Sequence, residues 1–523
     1  MKILRILLLI PFIWSCLDDK GNYNYRELNK IGFDNISYNY NIYYGDPLDI
    51  TPKLKFALDS VNVNLQYEWR WLDSTIATTP ELHIKEFKYY EGQASTFFLR
   101  VTDLSTNMIY SNKFLVSVGG RYQNGWLILG EKNKKSSLSM VRINKTEDKE
   151  GNVTKIYSLD TDIYGKVNEG ELGSGPIKLH EHFNSEVFST KGQVLIAQES
   201  GSVELDGKDL KKVIETQKEF NGEKYPANFQ FKDAAYTYCA GYLLSTDNKL
   251  YHRINENGEA FQTGRFFTIP KKDIETGEEL NCTHILRTSV GKSKSVLLFE
   301  QINKDKGRII FLSDNQYYPR ECGIQQTNFV LEPTAEHKPD FSPFNNIQKE
   351  LIYWGWKMKD YYNTSIVAIL KDKISHDYYI YKFAYEMWNG VTYIPEFEKV
   401  FVGNEYITSN SIFKVARNCP YIFFSGGIDN KELYYCEMDE FTTRCNKADI
   451  SFNAPISAIE TDLDGNVVGI GLANGEFYLL PIDNLSKNGI IFHVTSEKNI
   501  GRIIDVLYKI GHGYNDNANE ELY

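Results

Sequence analysis

The sequence is poor in several features that would narrow its function at once. After its first residues it has no apolar run approaching roughly 18 residues, so no later segment reads as a membrane-crossing helix. It has no dense Lys/Arg run, and binding a phosphate backbone relies on a basic patch that releases counterions, which argues against nucleic acid as a partner. Long helical periodicity is almost missing, which excludes a helical bundle. No H-E-x-x-H and no phosphate-cradling glycine loop occurs. A nucleophile elbow is approached only at Gly173-Ser174-Gly175, which lacks the spacing and the strand-to-helix setting. Paired carboxylates for glycoside hydrolysis need a separation in space that sequence does not supply. No cofactor, no metal and no catalytic residue is therefore assigned.

What is present begins at the N-terminus. Lys2 and Arg5 precede the apolar run Ile6 to Trp14, which ends at Ser15-Cys16-Leu17-Asp18-Asp19. A basic start, a short apolar stretch and a small residue before the cut are what a secretory peptidase accepts, and a cysteine at the cut adds a thiol for lipid attachment. About a dozen apolar residues with Pro11 among them fall short of the roughly 20 needed to span a bilayer core. The expectation is a signal peptide over residues 1–15, lipid attachment at Cys16 and a tether over 16–28. Ile13, Ser15 and Cys16 fit the bacterial lipobox, Trp14 being bulkier than usual there. Removing Lys2 and Arg5 from the 58 basic residues leaves 56 against 69 acidic ones, a net −13 that reads as ordinary solubility. With Cys16 set aside, six of the seven cysteines remain, scattered over a chain long enough to build its own core. Disulfides and buried thiols are both open, and Cys436 and Cys445 are the best-placed pair.

Short alternating runs bounded by Gly, Asn, Asp or Lys, rich in the 36 Tyr and 30 Phe, are the pattern of an all-β chain. Residues 29–118 read as one sandwich. Ile36 to Tyr44 alternates, Gly45-Asp46-Pro47 turns and Leu48 to Leu58 alternates again. Tyr67-Glu68-Trp69-Arg70-Trp71 puts three aromatics on one strand face and two charges on the other. Thr96 to Val101 and Ile109 to Val118 make a hairpin, and the whole suits an immunoglobulin-like sandwich with a core Trp.

Gly45-Asp46-Pro47-Leu48, Tyr67-x-Trp69 and Phe98-Leu99-Arg100-Val101-Thr102-Asp103, followed by Tyr110 and Phe114-Leu115-Val116, fall in the order seen in PKD-like domains. With the lipobox, this stretch resembles the PKD-like family lipoproteins of the Bacteroidota. Leu72-Asp73-Ser74 replaces the acidic-glycine turn usual after the Tyr-x-Trp strand, so no calcium or turn role is carried over. Asp18-Asp19 after the cysteine resembles the signal that sends such lipoproteins to the outer face of the outer membrane. The resemblance implies a cell-surface lipoprotein, noncatalytic, serving as a binding or accessory subunit of a SusC/SusD-type importer of glycans or peptides.

After Gly119-Gly120 the rhythm changes. From Gly125-Trp126-Leu127-Ile128-Leu129-Gly130-Glu131 onward, strand, polar turn and strand recur in about seven units, and residues 121–523 read as a β-propeller of about seven blades. Further sandwiches are the alternative. A propeller ring must close, and Arg502 to Ile510 is the strand expected to complete its first blade.

Four local patterns invite chemistry. His180-Glu181-His182 places two imidazoles on one strand face but has no third ligand at a zinc-like spacing, and polar surface residues in a loop are the expected role. Asp462-Leu463-Asp464-Gly465-Asn466 begins like a calcium loop, yet Val467, Val468 and Ile470 follow as a strand would, which makes it a hairpin turn. Trp354 and Trp356, separated by Gly355, are the candidate ligand-binding residues: on one strand face they offer a stacking surface for a sugar ring, and packing between blades uses the same side chains. Tyr67, Trp69 and Trp71 read as core. Enzymatic propellers assemble sites from several blades, so a polysaccharide hydrolase or lyase is the alternative function. Carboxylates clustered in the central funnel would favour it, and aromatics with amides would favour binding.

Overall fold

The computed structural model describes residues 29–510 apart from 59–62, 89–93, 184–191, 238, 256–261, 289–294, 315–321, 329–339, 359–362, 387–391 and 488. The signal segment, Cys16 and the tether lie outside the described residues.

The chain is all-β. Its N-terminal sandwich is organised by the strand Leu65–Trp71, which pairs antiparallel with Ser95–Asp103, and that strand pairs with Met108–Gly119. Period-two geometry buries Trp69 completely while Glu68 and Arg70 pair at 3.0 Å. Trp69 meets Phe114 edge-on at 6.1 Å, Phe114 stacks on Phe97 at 5.6 Å, and the indole Nε1 donates to the carbonyl of Thr79 at 2.9 Å, so the buried donor is satisfied. The hairpin turn is fixed by Asp103, whose carboxylate accepts from the Ser105 backbone at 2.9 Å and from both the Ser105 and Thr106 hydroxyls. Asn39–Tyr43 runs parallel to the end of Met108–Gly119, and two small sheets, Ile31–Asp34 with Lys53–Phe56 and Leu48–Ile50 with Leu82–Ile84, complete the sandwich.

Beyond it, six sheets stand as separate blades among the described residues, each a meander of consecutive antiparallel strands. Their innermost strands are Pro176–Phe183, Phe231–Tyr236, Cys282–Arg287, Glu350–Met358, Phe413–Val415 and Ile456–Thr461. The spacing of repeats predicts about seven blades. The difference lies where the ring closes. Arg502–Lys509 pairs with Gly125–Lys132, which pairs with Lys135–Glu147 and so with Val153–Asp160. Lys135–Glu147 is 13 residues long, and its far end, Lys145 to Glu147, also pairs with Asn39 to Asn41 of the sandwich. The closing strands are thus part of one nine-stranded sheet shared with the sandwich.

Three details show why closure works. Trp126, 1% exposed, packs against Tyr508 of the last strand at 4.9 Å and against Phe477 of the preceding blade at 6.1 Å. Gly469 permits this approach, because a Cβ there would lie 2.6 Å from the Trp126 ring. Across the boundary, Asp46 is buried and paired with Arg142, which also reaches Asp160 at 3.0 Å.

Asp462 accepts from the backbone of Asn466 and Val467 at 2.8 and 3.0 Å, the hairpin turn expected, with Gly465 at φ +72°. Cys436 and Cys445 form a disulfide, Cys239 and Cys282 are buried thiols, and Cys322 and Cys419 are partly exposed.

Candidate functional site

An inner strand of a propeller is flanked by its own blade on one side and open to the axis on the other. The six innermost strands and Arg502–Lys509 therefore surround a central channel, with a cavity of about 430 Å³, within the range of small-molecule sites. These strands are mainly apolar, yet each of six carries charge toward the cavity: Lys178, Asp233, Arg287, Lys414, Glu460 and Asp505 line it together with Glu181 and Arg417.

The carboxylates are nearly all engaged. Asp233 accepts from Lys178 at 2.8 Å and lies 3.2 Å from His180 Nε2. Burial opposes its charge, but those two neighbours win and hold it well below the ordinary range. Glu460 is paired with Lys414 at 2.6 Å. Glu181 lies 3.5 Å from the buried Lys509 and accepts from the Ile510 backbone at 2.8 Å. Asp505 has no cation within salt-bridge distance among the described residues and accepts from the Leu179 backbone at 2.8 Å, and burial, helped by Glu460, raises it to about 6.

The guanidiniums are differently placed. Arg287 donates to the Glu181 backbone carbonyl, and no carboxylate pairs with it among the described residues. Burial, then Arg417, lowers it to about 10. Arg417 is 8% exposed and lies over the Trp356 ring at 5.7 Å. Its Nη1 is buried with no acceptor among the described residues.

Both candidate tryptophans border this cavity. Trp354 is 6% exposed and packed edge-on to Phe299 at 6.4 Å, inside the core between blades. Trp356 is half-buried and carries the Arg417 guanidinium on its ring. The paired stacking platform is therefore not laid out for a sugar, because Trp354 is enclosed and one face of Trp356 is taken by the guanidinium. The histidines depart from expectation as well. They lie on the inner strand Pro176–Phe183 rather than in a surface loop, and His182 is buried, stacked on Tyr236 at 3.8 Å and 3.0 Å from Glu204. Burial keeps His180 below its ordinary value although Asp233 opposes this.

Sequence reading passed over Arg287, Arg417, Lys414 and Asp505. The available signal was a charge set among apolar residues, as in Ile285-Leu286-Arg287, Phe413-Lys414-Val415 and Ile503-Ile504-Asp505-Val506-Leu507, a position that costs stability unless it is paired or used.

Residues 16–176 match the model of the PKD-like family, a span that takes in the sandwich and the strands of the closing sheet through Val153–Asp160. No curated protein matches the sequence. Among solved structures, a quinonprotein alcohol dehydrogenase-like protein of Bacteroides thetaiotaomicron is similar, at 9% identity and TM-score 0.35, over 90% of this chain and 96% of that one. The Cps50 (Swd1) beta-propeller domain of Myceliophteria thermophila shares 12% identity at TM-score 0.37, over 69% and 98%. Sqt1 of Saccharomyces cerevisiae shares 9% at TM-score 0.36, over 61% and 78%. At such scores the likeness carries nothing about function.

Proposed function

We propose that this is a lipid-anchored protein of the bacterial outer membrane, facing the exterior through Cys16, that acts as a noncatalytic binding or accessory subunit of a SusC/SusD-type uptake system for glycans or peptides. The anchor rests on Ser15-Cys16 and Asp18-Asp19, and the system on the resemblance of the N-terminal part. The binding role is supported by one observation above others: Asp233, Glu181 and Glu460 are each engaged by a cation, while the guanidinium Nη1 of Arg417 is left without an acceptor among the described residues. A channel arranged in this way holds charge in place for recognition.

One observation favours the hydrolase or lyase reading. Asp505, raised to about 6 beside Glu460, has the tuning of a general acid. A mild-detergent pulldown from native membranes with mass spectrometry, run beside glycan and peptide binding and turnover assays on the soluble form, separates the two. Co-purification of a SusC/SusD-type pair with binding and no turnover supports the accessory role. Recovery of the protein alone, with polysaccharide turnover lost in Asp505→Asn, overturns it. Labelled fatty acid should enter the wild type and not Cys16→Ala.

A further inference from the structure

Four cations and four carboxylates line the cavity, but they are not matched pair by pair. Lys178 pairs with Asp233, Lys414 with Glu460 and Lys509 with Glu181. Lys509 lies outside the cavity lining, so with the buried His180 neutral the guanidiniums of Arg287 and Arg417 face Asp505 as the one lining carboxylate that no lysine holds among the described residues. Arg417 is close enough to disfavour the charge of Arg287, which burial already penalises. Two like charges drawn together in an enclosed space are unfavourable unless an anion joins them. The surrounding packing fixes where it would go: Arg417 is held against Trp356, Arg287 is anchored on the Glu181 carbonyl, and the buried Nη1 of Arg417 has no acceptor among the described residues.

We propose that Arg287 and Arg417 form a binding site for a singly charged carboxylate on the propeller axis, supplied by an acidic sugar or an acidic amino acid residue of the ligand. This rests on the binding role proposed above and names its chemistry. The planar guanidinium fork matches a carboxylate's two oxygens, which an ammonium cannot do, so arginine rather than lysine is the residue type expected where the ligand is held. A carboxylate brings the planar pair of oxygens that the fork accepts with a single charge, whereas a phosphate monoester brings a second charge into a cavity whose lining charges are already equal in number. Lys178 and Lys414, each already bound to a carboxylate, hold the surrounding charge in place.

The test is titration calorimetry on the soluble mature chain with D-galacturonate, the α-amide of N-acetylglutamate (one side-chain carboxylate), D-galactose and inorganic phosphate as probes. At least one of the two carboxylates should bind, at least tenfold more tightly than galactose and phosphate, and which one binds identifies the source. Arg417→Gln should weaken that binding about tenfold or more, the loss expected of a hydrogen bond to a charged group. Arg417→Lys, which keeps the charge and removes the fork, should also weaken it, and a cooperative thermal transition without ligand, at the wild-type temperature, checks that both variants remain folded. If Arg417→Gln does not fold, Arg417→Lys and Arg287→Lys carry the test. Galactose bound as tightly as galacturonate, or neither carboxylate bound, or full affinity retained in Arg417→Lys and Arg287→Lys, overturns the carboxylate site. Capture of a neutral glycan or peptide in the binding assays would then leave the accessory role standing. Carboxylate binding without any glycan or peptide capture sustains the site and removes that role.

Discussion

Replacing Asp505 by Asn is expected to stabilise the protein at neutral pH and to leave it unchanged in acid. Folding moves this carboxyl from 3.8 to about 6, because burial penalises its charge more than the Leu179 N–H and Lys178 favour it. At 1.36 kcal/mol per unit, the shift corresponds to about 3 kcal/mol. Below about pH 4 the group is protonated in both the folded and unfolded states and contributes no penalty. Between about 4 and 6 the unfolded chain releases its proton first, so stability is lost as pH rises, and above about 6 the full penalty is present. An asparagine stands in for the protonated acid, and its Oδ1 can still accept from Leu179, which now donates at 2.8 Å. Urea unfolding of both proteins from pH 4 to 8 should give a difference near zero at the acid end that grows to about 2 to 3 kcal/mol in favour of the variant. A variant less stable than the wild type at pH 7.5, or a difference independent of pH, would refute the reasoning.

Trp69→Ala should destabilise the sandwich by about 3 to 5 kcal/mol, since it empties a fully buried site and leaves the Thr79 carbonyl without its indole donor; loss of near-ultraviolet dichroism with an early unfolding step is the readout. Gly469→Val places side-chain atoms where Trp126 already sits, within 2.6 Å for Cβ alone, and should lower the melting temperature sharply, while Ser457→Ala, on the same blade and partly exposed, should not. Reduction of Cys436–Cys445 should cost about 2 to 3 kcal/mol by the loop-entropy relation for a separation of nine residues, measured as a shift in the denaturation midpoint with and without reductant.

Local chemistry made much of the fold legible. The strand Tyr67-x-Trp69-x-Trp71, the Asp103 turn and the Asp462 turn are written in consecutive residues, and each forms where period two and turn chemistry place it. The closing strand could be read because a propeller has to close, and Arg502–Lys509 is the late apolar run available to pair with Gly125–Lys132. The channel was not legible in the same way. Arg287 and Arg417 stand 130 positions apart and border one cavity only because radial repetition turns the inner strand of every blade to one axis. Nothing local distinguishes such a charge from one on a solvated face. The pairing of Lys145–Glu147 with Asn39–Asn41 was hidden for a related reason, since the glycines at 119 and 120 suggest a flexible boundary while the contact that bridges it is made more than twenty residues later.

That shared sheet has a mechanical consequence. A domain hung on a flexible linker swivels, and its binding face samples every heading. Here rotation of the propeller against the sandwich would have to shear backbone hydrogen bonds between Lys145–Glu147 and Asn39–Asn41 and pull Arg142 from the buried Asp46. The sandwich and the closing strands therefore turn together, and the channel axis keeps a fixed bearing to the sandwich. A partner that gripped the sandwich would by that contact alone also set the direction in which the mouth of the channel points.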